Sequence, residues 1–306
     1  MASPSTARPS AAQFSQARLD AAAGRPPPIT AIGWTRIGFR AVGIIAILIP
    51  LVILHYLWRA VRLSSPWPRL FLGWTGWIAG ARADRSGIAV RRDVVFISNH
   101  ISWIDILVIA GASGSAFVAK AEIRAAPIVG WLSTLNRTVF VSREDRAGVG
   151  EQIDRLREAL ADTWSVTIFP EGTTDDGRSL LPFKSSLLKI LEPAPHGVVV
   201  QPLLLDYGVI GPDIGWLGFE SGKDNALRVL ARRGSFRVGI RFLEPFSPAE
   251  FGGRKAIAAE ARVRIAAALA AVLGRPVDTF VGHDAWSSGA VAHLCETGSA
   301  SPVAAL

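Results

Sequence analysis

The chain is short of cysteine: its 306 residues hold one, Cys295. An intramolecular disulfide framework and a cysteine-rich metal site are both excluded. Its five histidines stand at positions 55, 100, 196, 283 and 293, and no two have the HExxH spacing of a zinc-binding helix. No metal and no bound cofactor is expected. Zinc-finger spacing, a continuous basic helix and an aromatic-rich RNA-binding signature are also lacking, so the formal charge of +8 points to anionic lipid rather than nucleic acid. A Gly-x-Ser-x-Gly nucleophile elbow is missing too. Gly111-Ala112-Ser113-Gly114-Ser115 only approximates one and follows a helical segment, which weighs against a hydrolase.

Charge is absent from Ala41 to Trp58, between Arg36 and Arg40 on one side and Arg59 and Arg62 on the other. As a helix this stretch is about 27 Å long, close to the roughly 30 Å hydrocarbon core of a bilayer. Trp34, Tyr56 and Trp58 lie where interfacial aromatics belong, and Pro50 can kink the middle. A second stretch, Pro66 to Gly80, carries Trp67, Trp74 and Trp77 with one charge, Arg69; it is too short to cross and suits the headgroup layer or a re-entrant turn. Arginines on both flanks leave open whether the chain spans or re-enters, and either geometry keeps the following domain cytoplasmic at the cell membrane. Residues 1–30, rich in Ala, Ser, Pro and Gln, read as a disordered tail. A secretory signal peptide is not expected, because the apolar stretch begins only after residue 30, is too long for a signal core and has no small-residue cleavage site behind it.

After Ala81 short β-like runs alternate with amphipathic ones. Strands are expected at 94–98, 115–119, 138–142, 164–169, 198–205 and 235–243, and helices at 102–111, 121–135, 148–162 and 184–192. One long helix is expected over 248–273, capped by Ser247. The pattern predicts an α/β fold with a mixed, largely parallel sheet flanked by helices, behind an N-terminal membrane-anchoring helical segment. The organisation is then a tail (1–30), anchoring helices (31–80), a catalytic domain (81–274) and a C-terminal tail (275–306).

Two loops at the ends of expected strands carry chemistry. In Asn99-His100…Asp105 the imidazole can take a proton from a hydroxyl if a carboxylate holds its tautomer, and Asp105, in the first turn of the following helix, can fold back onto it. Ser102-x-x-Asp105 also fits a capping box, in which Asp105 merely satisfies the backbone. In Phe169-Pro170-Glu171-Gly172-Thr173 an apolar strand stops at a proline and delivers a carboxylate, a glycine and hydroxyls. A turn needs no glutamate, and carboxyl ends of strands are where such folds collect reactive groups, so His100 and Glu171 are expected to face one cleft.

With these motifs the chain resembles the glycerolipid acyltransferase family typified by lysophosphatidic acid acyltransferase (PlsC-like). Asn99, His100 and Asp105 match its first motif and Phe169 to Thr173 its third. Thr138-Val139-Phe140-Val141-Ser142-Arg143 fits the second, and Val198-Val199-Val200-Gln201-Pro202 fits the fourth. Lys120 and Pro182-Phe183-Lys184 are smaller matches, and the resemblance covers about residues 85 to 245. It implies acyl transfer from an acyl-CoA or acyl carrier protein thioester to a lysolipid hydroxyl, with His100 as general base and Asp105 as its orienting partner. Asn99, Lys120, Arg143, Glu171, Gly172, Thr173 and Lys184 would bind substrate. Many members follow the third motif with arginine, whereas this chain has Thr174-Asp175-Asp176, which would repel a phosphate. Lysophosphatidic acid is the first expected acceptor and lyso-ornithine lipid the second. A non-catalytic, membrane-anchored lipid-binding protein is the remaining alternative.

Overall fold

A computed structural model describes residues 16–120, 124–125, 127–141 and 165–279. The chain begins with three helices, α1 (Gln16–Ala22), α2 (Ala31–Ala60) and α3 (Trp67–Ala79). There follow β1 (Ala81–Ser86), β2 (Val94–Ser98), α4 (Ile104–Ser113), β3 (Ala116–Lys120), α5 (Pro127–Leu135), β4 (Val139–Val141) and β5 (Ser165–Ile168). After β6 (Ser179–Leu180) and β7 (Val199–Asp206) come α6 (Gly211–Ile214), α7 (Gly222–Ala231), β8 (Phe236–Phe242), α8 (Arg254–Leu273) and β9 (Asp278–Thr279). Seven strands form one sheet in the order β1-β8-β7-β2-β5-β3-β4, and every neighbouring pair is parallel except β7–β8.

The mixed, largely parallel sheet expected from the alternation is therefore present. Its central strand β2 reads Val-Val-Phe-Ile-Ser and is buried at every position, as a strand covered on both faces must be. One face meets α4 and α3 through Phe96, Ile104 and Val108; the other meets α8 through Val95, Ile97, Ile257 and Ile265. Helix α4 is sandwiched so fully that seven of its ten residues are buried.

Several expectations need correction. Residues 16–30 are not a loose tail: α1 docks on the domain, with Ala21 and Ala22 buried and Arg18 only 3% exposed. Arg18 donates to Pro212 O at 2.7 Å, Gly215 O at 3.0 Å and Glu220 Oε2 at 3.2 Å, partners about two hundred residues away that composition cannot reveal. Burial pushes its guanidinium down to about 10, and Glu220 beside it limits the fall. The expected helix over 248–273 is broken, because Gly252-Gly253 separates a 3₁₀ turn (Pro248–Glu250) from α8, and Gly253 takes φ 105°, which a side chain would resist. The expected helix at 184–192 is a 3₁₀ segment, Ser185–Leu191. At the other end, β9 pairs with β6, so the domain runs a few residues past Gly274. The expected helix at 148–162 lies outside the described residues, as do 1–15 and 280–306.

Helices α2 and α3 form an antiparallel pair. Trp58 meets Trp67 edge to face at 5.3 Å, and Ile78 reaches Gly43 further along. The start of α2 is tied to the domain, where Arg40 donates to Leu230 O at 2.7 Å and Arg36 to Ala231 O at 3.2 Å, carbonyls of the last turn of α7. The opposite side of α3 is pressed onto α4, backbone against backbone at Gly73 and Gly111. The segment 31–80 is thus continuous with the domain it precedes.

Candidate active site

Three neighbouring parallel strands, β5, β2 and β7, end at the same edge of the sheet, and the residues that follow them converge. Asn99 and His100 follow β2, Phe169 to Asp176 follow β5, and Tyr207 follows β7.

His100 Nδ1 lies 2.8 Å from Asp105 Oδ2. The same oxygen accepts from Ile101 N–H at 2.6 Å and Ser102 N–H at 2.9 Å, so the capping role and the histidine-orienting role fall on one atom. The other oxygen, Oδ1, accepts the Tyr207 hydroxyl at 2.5 Å. Asp105 is wholly buried, and these four partners satisfy both of its oxygens. The imidazole stacks on Phe169 with ring centres 4.0 Å apart, its side chain 19% exposed. With Nδ1 committed to Asp105, Nε2 is the nitrogen left for a substrate; it has no hydrogen-bond partner among the described residues.

Glu171 reaches this site from the neighbouring strand. Pro170 and Glu171 form the corner of a β-turn closed by Gly172 N–H on Phe169 O at 3.1 Å, and Gly172 takes φ 69°. Glu171 Oε1 accepts His100 N–H at 3.2 Å, while Oε2 is buried with no partner. Burial, reinforced by the Asp175 carboxyl, holds Glu171 well above the usual carboxylate range. Asp175 lies behind it: its N–H bonds to His100 O at 2.8 Å and its side chain accepts the Ser179 hydroxyl. Burial and the adjacent Asp176 push Asp175 up to about 7, and burial also raises Asp176, against the pull of the Arg178 N–H.

Of the expected site residues, His100, Asp105, Glu171 and Gly172 come together, with Thr173 on the half-buried rim. Asn99 has a different job: it is 2% exposed, and its amide pairs with both backbone groups of Leu205, Nδ2 donating to O at 3.0 Å and Oδ1 accepting N–H at 2.8 Å. It clamps β2 to β7 rather than facing a ligand. Lys120 ends β3, two strands from His100, and Lys184 is exposed with its N–H on Pro170 O at 2.8 Å. Arg143 lies outside the described residues. Sequence reasoning missed Tyr207, for which no local pattern exists, and the ring stack of Phe169.

A model of the acyltransferase family matches residues 83–206. A lyso-ornithine lipid O-acyltransferase of Rhizobium meliloti (strain 1021) is 34% identical over 244 residues, 74% of this chain and 83% of that protein. A 1-acyl-sn-glycerol-3-phosphate acyltransferase of Neisseria gonorrhoeae is 38% identical over 97 residues, 31% of this chain and 38% of the other. The crystal structure of the 1-acyl-sn-glycerophosphate acyltransferase PlsC from Thermotoga maritima has the same fold, with TM-score 0.54 and 20% identity over 77% of this chain and 98% of that one. On these matches the chain belongs to the PlsC-type glycerolipid acyltransferase family and is an acyltransferase of the lysolipid type.

Proposed function

We propose that this enzyme transfers a fatty acyl group from a coenzyme A or acyl carrier protein thioester to the hydroxyl of lyso-ornithine lipid. The observation that carries the mechanism is the 2.8 Å pairing of His100 Nδ1 with a buried, four-fold hydrogen-bonded Asp105. Nε2 of His100 takes the acceptor's hydroxyl proton as the oxygen attacks the thioester carbonyl. The tetrahedral intermediate collapses, the carbon–sulfur bond breaks, and the imidazolium returns its proton to the departing thiolate. No acylated enzyme residue forms, and no cofactor takes part. Lys120 and Arg143 remain candidates for holding the oxyanion and the head group.

The acceptor is argued from a missing cation and from the relatives. Directly after the third motif, where many family members carry arginine, stands Thr174, whose hydroxyl donates to Trp216 O, so this position offers an acceptor phosphate no positive charge. The Rhizobium relative is a lyso-ornithine lipid O-acyltransferase, and an ornithine head group bears an ammonium in place of a phosphate. Lysophosphatidic acid is the second reading, favoured by the Neisseria match.

The α2–α3 pair is read as a shallow membrane anchor. Helix α3 is about 20 Å long, too short to cross a ~30 Å core, and it packs along α2 on one side and α4 on the other. Acyl thioesters are cytoplasmic, so the domain faces the cytoplasm.

Membranes holding the enzyme, given a labelled acyl thioester and a lysolipid panel, should acylate lyso-ornithine lipid in preference to lysophosphatidic acid. In His100→Ala the rate should fall by about 10² or more, and Asp105→Asn should follow it. A fully active His100→Ala enzyme would end the mechanism; preference for lysophosphatidic acid would reverse only the acceptor.

A further inference from the structure

Asp105 is held on both oxygens, and only one of its partners comes from far away in sequence. Tyr207 stands 102 positions along the chain, just past the end of β7, 4% exposed and stacked on Phe236 with ring centres 6.2 Å apart. Two residues before it, Leu205 is gripped through its backbone by the amide of Asn99, the neighbour of His100. Hydrogen bonds and chain together close a ring: Asn99 fixes β7, β7 carries Tyr207, Tyr207 fixes Asp105, and Asp105 fixes His100.

We propose that Tyr207 is a positioning residue for acyl transfer, whose phenol on Asp105 Oδ1 sets how strongly Asp105 stabilises the imidazolium that forms when His100 takes up the acceptor's proton on Nε2. This rests on His100 acting as the base. The proton has two journeys to make, from the acceptor hydroxyl onto Nε2 and from Nε2 to the departing thiolate. A carboxylate that drew the imidazolium too strongly would speed the first and slow the second. Donation from the phenol spreads Asp105's charge onto a second partner and leaves Oδ2 aimed at Nδ1. Burial, with Asp105 adding to it, keeps the phenol protonated far above its ordinary range, so Tyr207 only ever donates. The titratable groups around His100 are Asp105 from α4, Tyr207 from beyond β7, and Glu171 with Asp175 from the loop after β5, while Phe169 covers a ring face.

Tyr207→Phe removes one oxygen and leaves the ring to pack on Phe236. We expect kcat to fall about tenfold, as for loss of a hydrogen bond to a charged group. KM for the lysolipid should change less than about twofold, because nothing the lipid touches has moved. The acidic limb of kcat/KM should move to higher pH by on the order of one unit, since a less neutralised Asp105 favours the imidazolium. In an Asp105→Asn background the same substitution should cost little more, because its route of action is gone. The chain has two tyrosines, so fluorotyrosine incorporated into the Tyr56→Phe protein reports on position 207 alone. A more acidic phenol donates more strongly and should move the limb the other way, in a protein with the native contacts. Wild-type rate and pH limb in Tyr207→Phe, an equal fractional loss with and without Asp105, or a fluorotyrosine enzyme with an unmoved limb would each overturn the proposal. An inactive His100→Ala beside such a result keeps the base and removes only the tyrosine's part.

Discussion

Asp175 stores a proton that the unfolded chain would give up. Its carboxyl is raised in the fold from an ordinary 3.8 to about 7, first by burial and then by Asp176. The sign follows: below about pH 4 the group is neutral in both states and costs nothing, whereas between about 4 and 7 the unfolded chain releases a proton that the fold retains. Stability attributable to this group is full at low pH and lost as pH rises through 7, by no more than about 1.4 kcal/mol per pH unit. Asp175→Asn, still able to accept from Ser179, removes that slope. Thermal unfolding should show the variant matching the wild type near pH 4.5 and exceeding it at pH 8; a gap that does not widen with pH would mean that Asp175 is ionised in the fold. Close by, the two buried carboxyls of the site differ in their partners: Asp105 has four, on both oxygens, whereas Glu171 has an oxygen with none.

Element by element, α4 is where packing and chemistry meet, because its first turn carries Asp105 and its last turn crosses α3. At that crossing a Cβ on Gly111 would sit 2.6 Å from Gly73 Cα. Replacing glycine by alanine inside a free helix gains about 1 kcal/mol, and overpacking costs about 1–3 kcal/mol, so at this position the crossing should win. Gly111→Ala should lower the unfolding temperature, and Gly38→Ala on α2, whose Cβ would meet nothing within 4 Å, should not. The same elements show what the sequence could reveal. Strands β2, β5 and β7 are legible because central parallel strands must be apolar on both faces, and His100 with Asp105 because five residues of chain fix their approach. Strand β1, Ala-Arg-Ala-Asp-Arg-Ser, is an edge whose exposed side chains carry no strand pattern, and it exists because β8 is there to pair with it. Asn99 looked like a ligand group because its partner, Leu205, is 106 residues away. Helix α1 and Tyr207 escaped for the same reason, their roles being set by partners brought close only by the fold.

At the scale of the whole molecule, one surface is out of keeping with water. Along α2 the side chains of Phe39, Val42, Ile45, Ile49 and Ile53 are each more than half exposed, forming a continuous stripe at helical spacing. Trp74 and Trp77 of α3 and Ile128 and Val129 of α5 add further exposed apolar surface. A patch of this extent is a contact surface, and the partner proposed for it is the lipid layer that holds a lysolipid acceptor. Because α2 is bound at its start by Arg36 and Arg40 to α7 and along its length to α3, the helix lies against the body of the enzyme with its stripe facing outward. The hairpin should therefore enter one leaflet, with the 61–66 turn never reaching the far side. Two measurements check this. Replacing Ile45, Ile49 and Ile53 by serine removes roughly 1 kcal/mol or more of lipid burial each, so the variant should leave the membrane pellet, whereas high salt, which screens only the arginines, should not release the wild type. With Cys295→Ser and Ser64→Cys, an impermeant thiol reagent on the face opposite the domain should leave position 64 unlabelled; labelling from that face would mean that α2 crosses the bilayer and that α3 separates from α4 when the enzyme meets lipid.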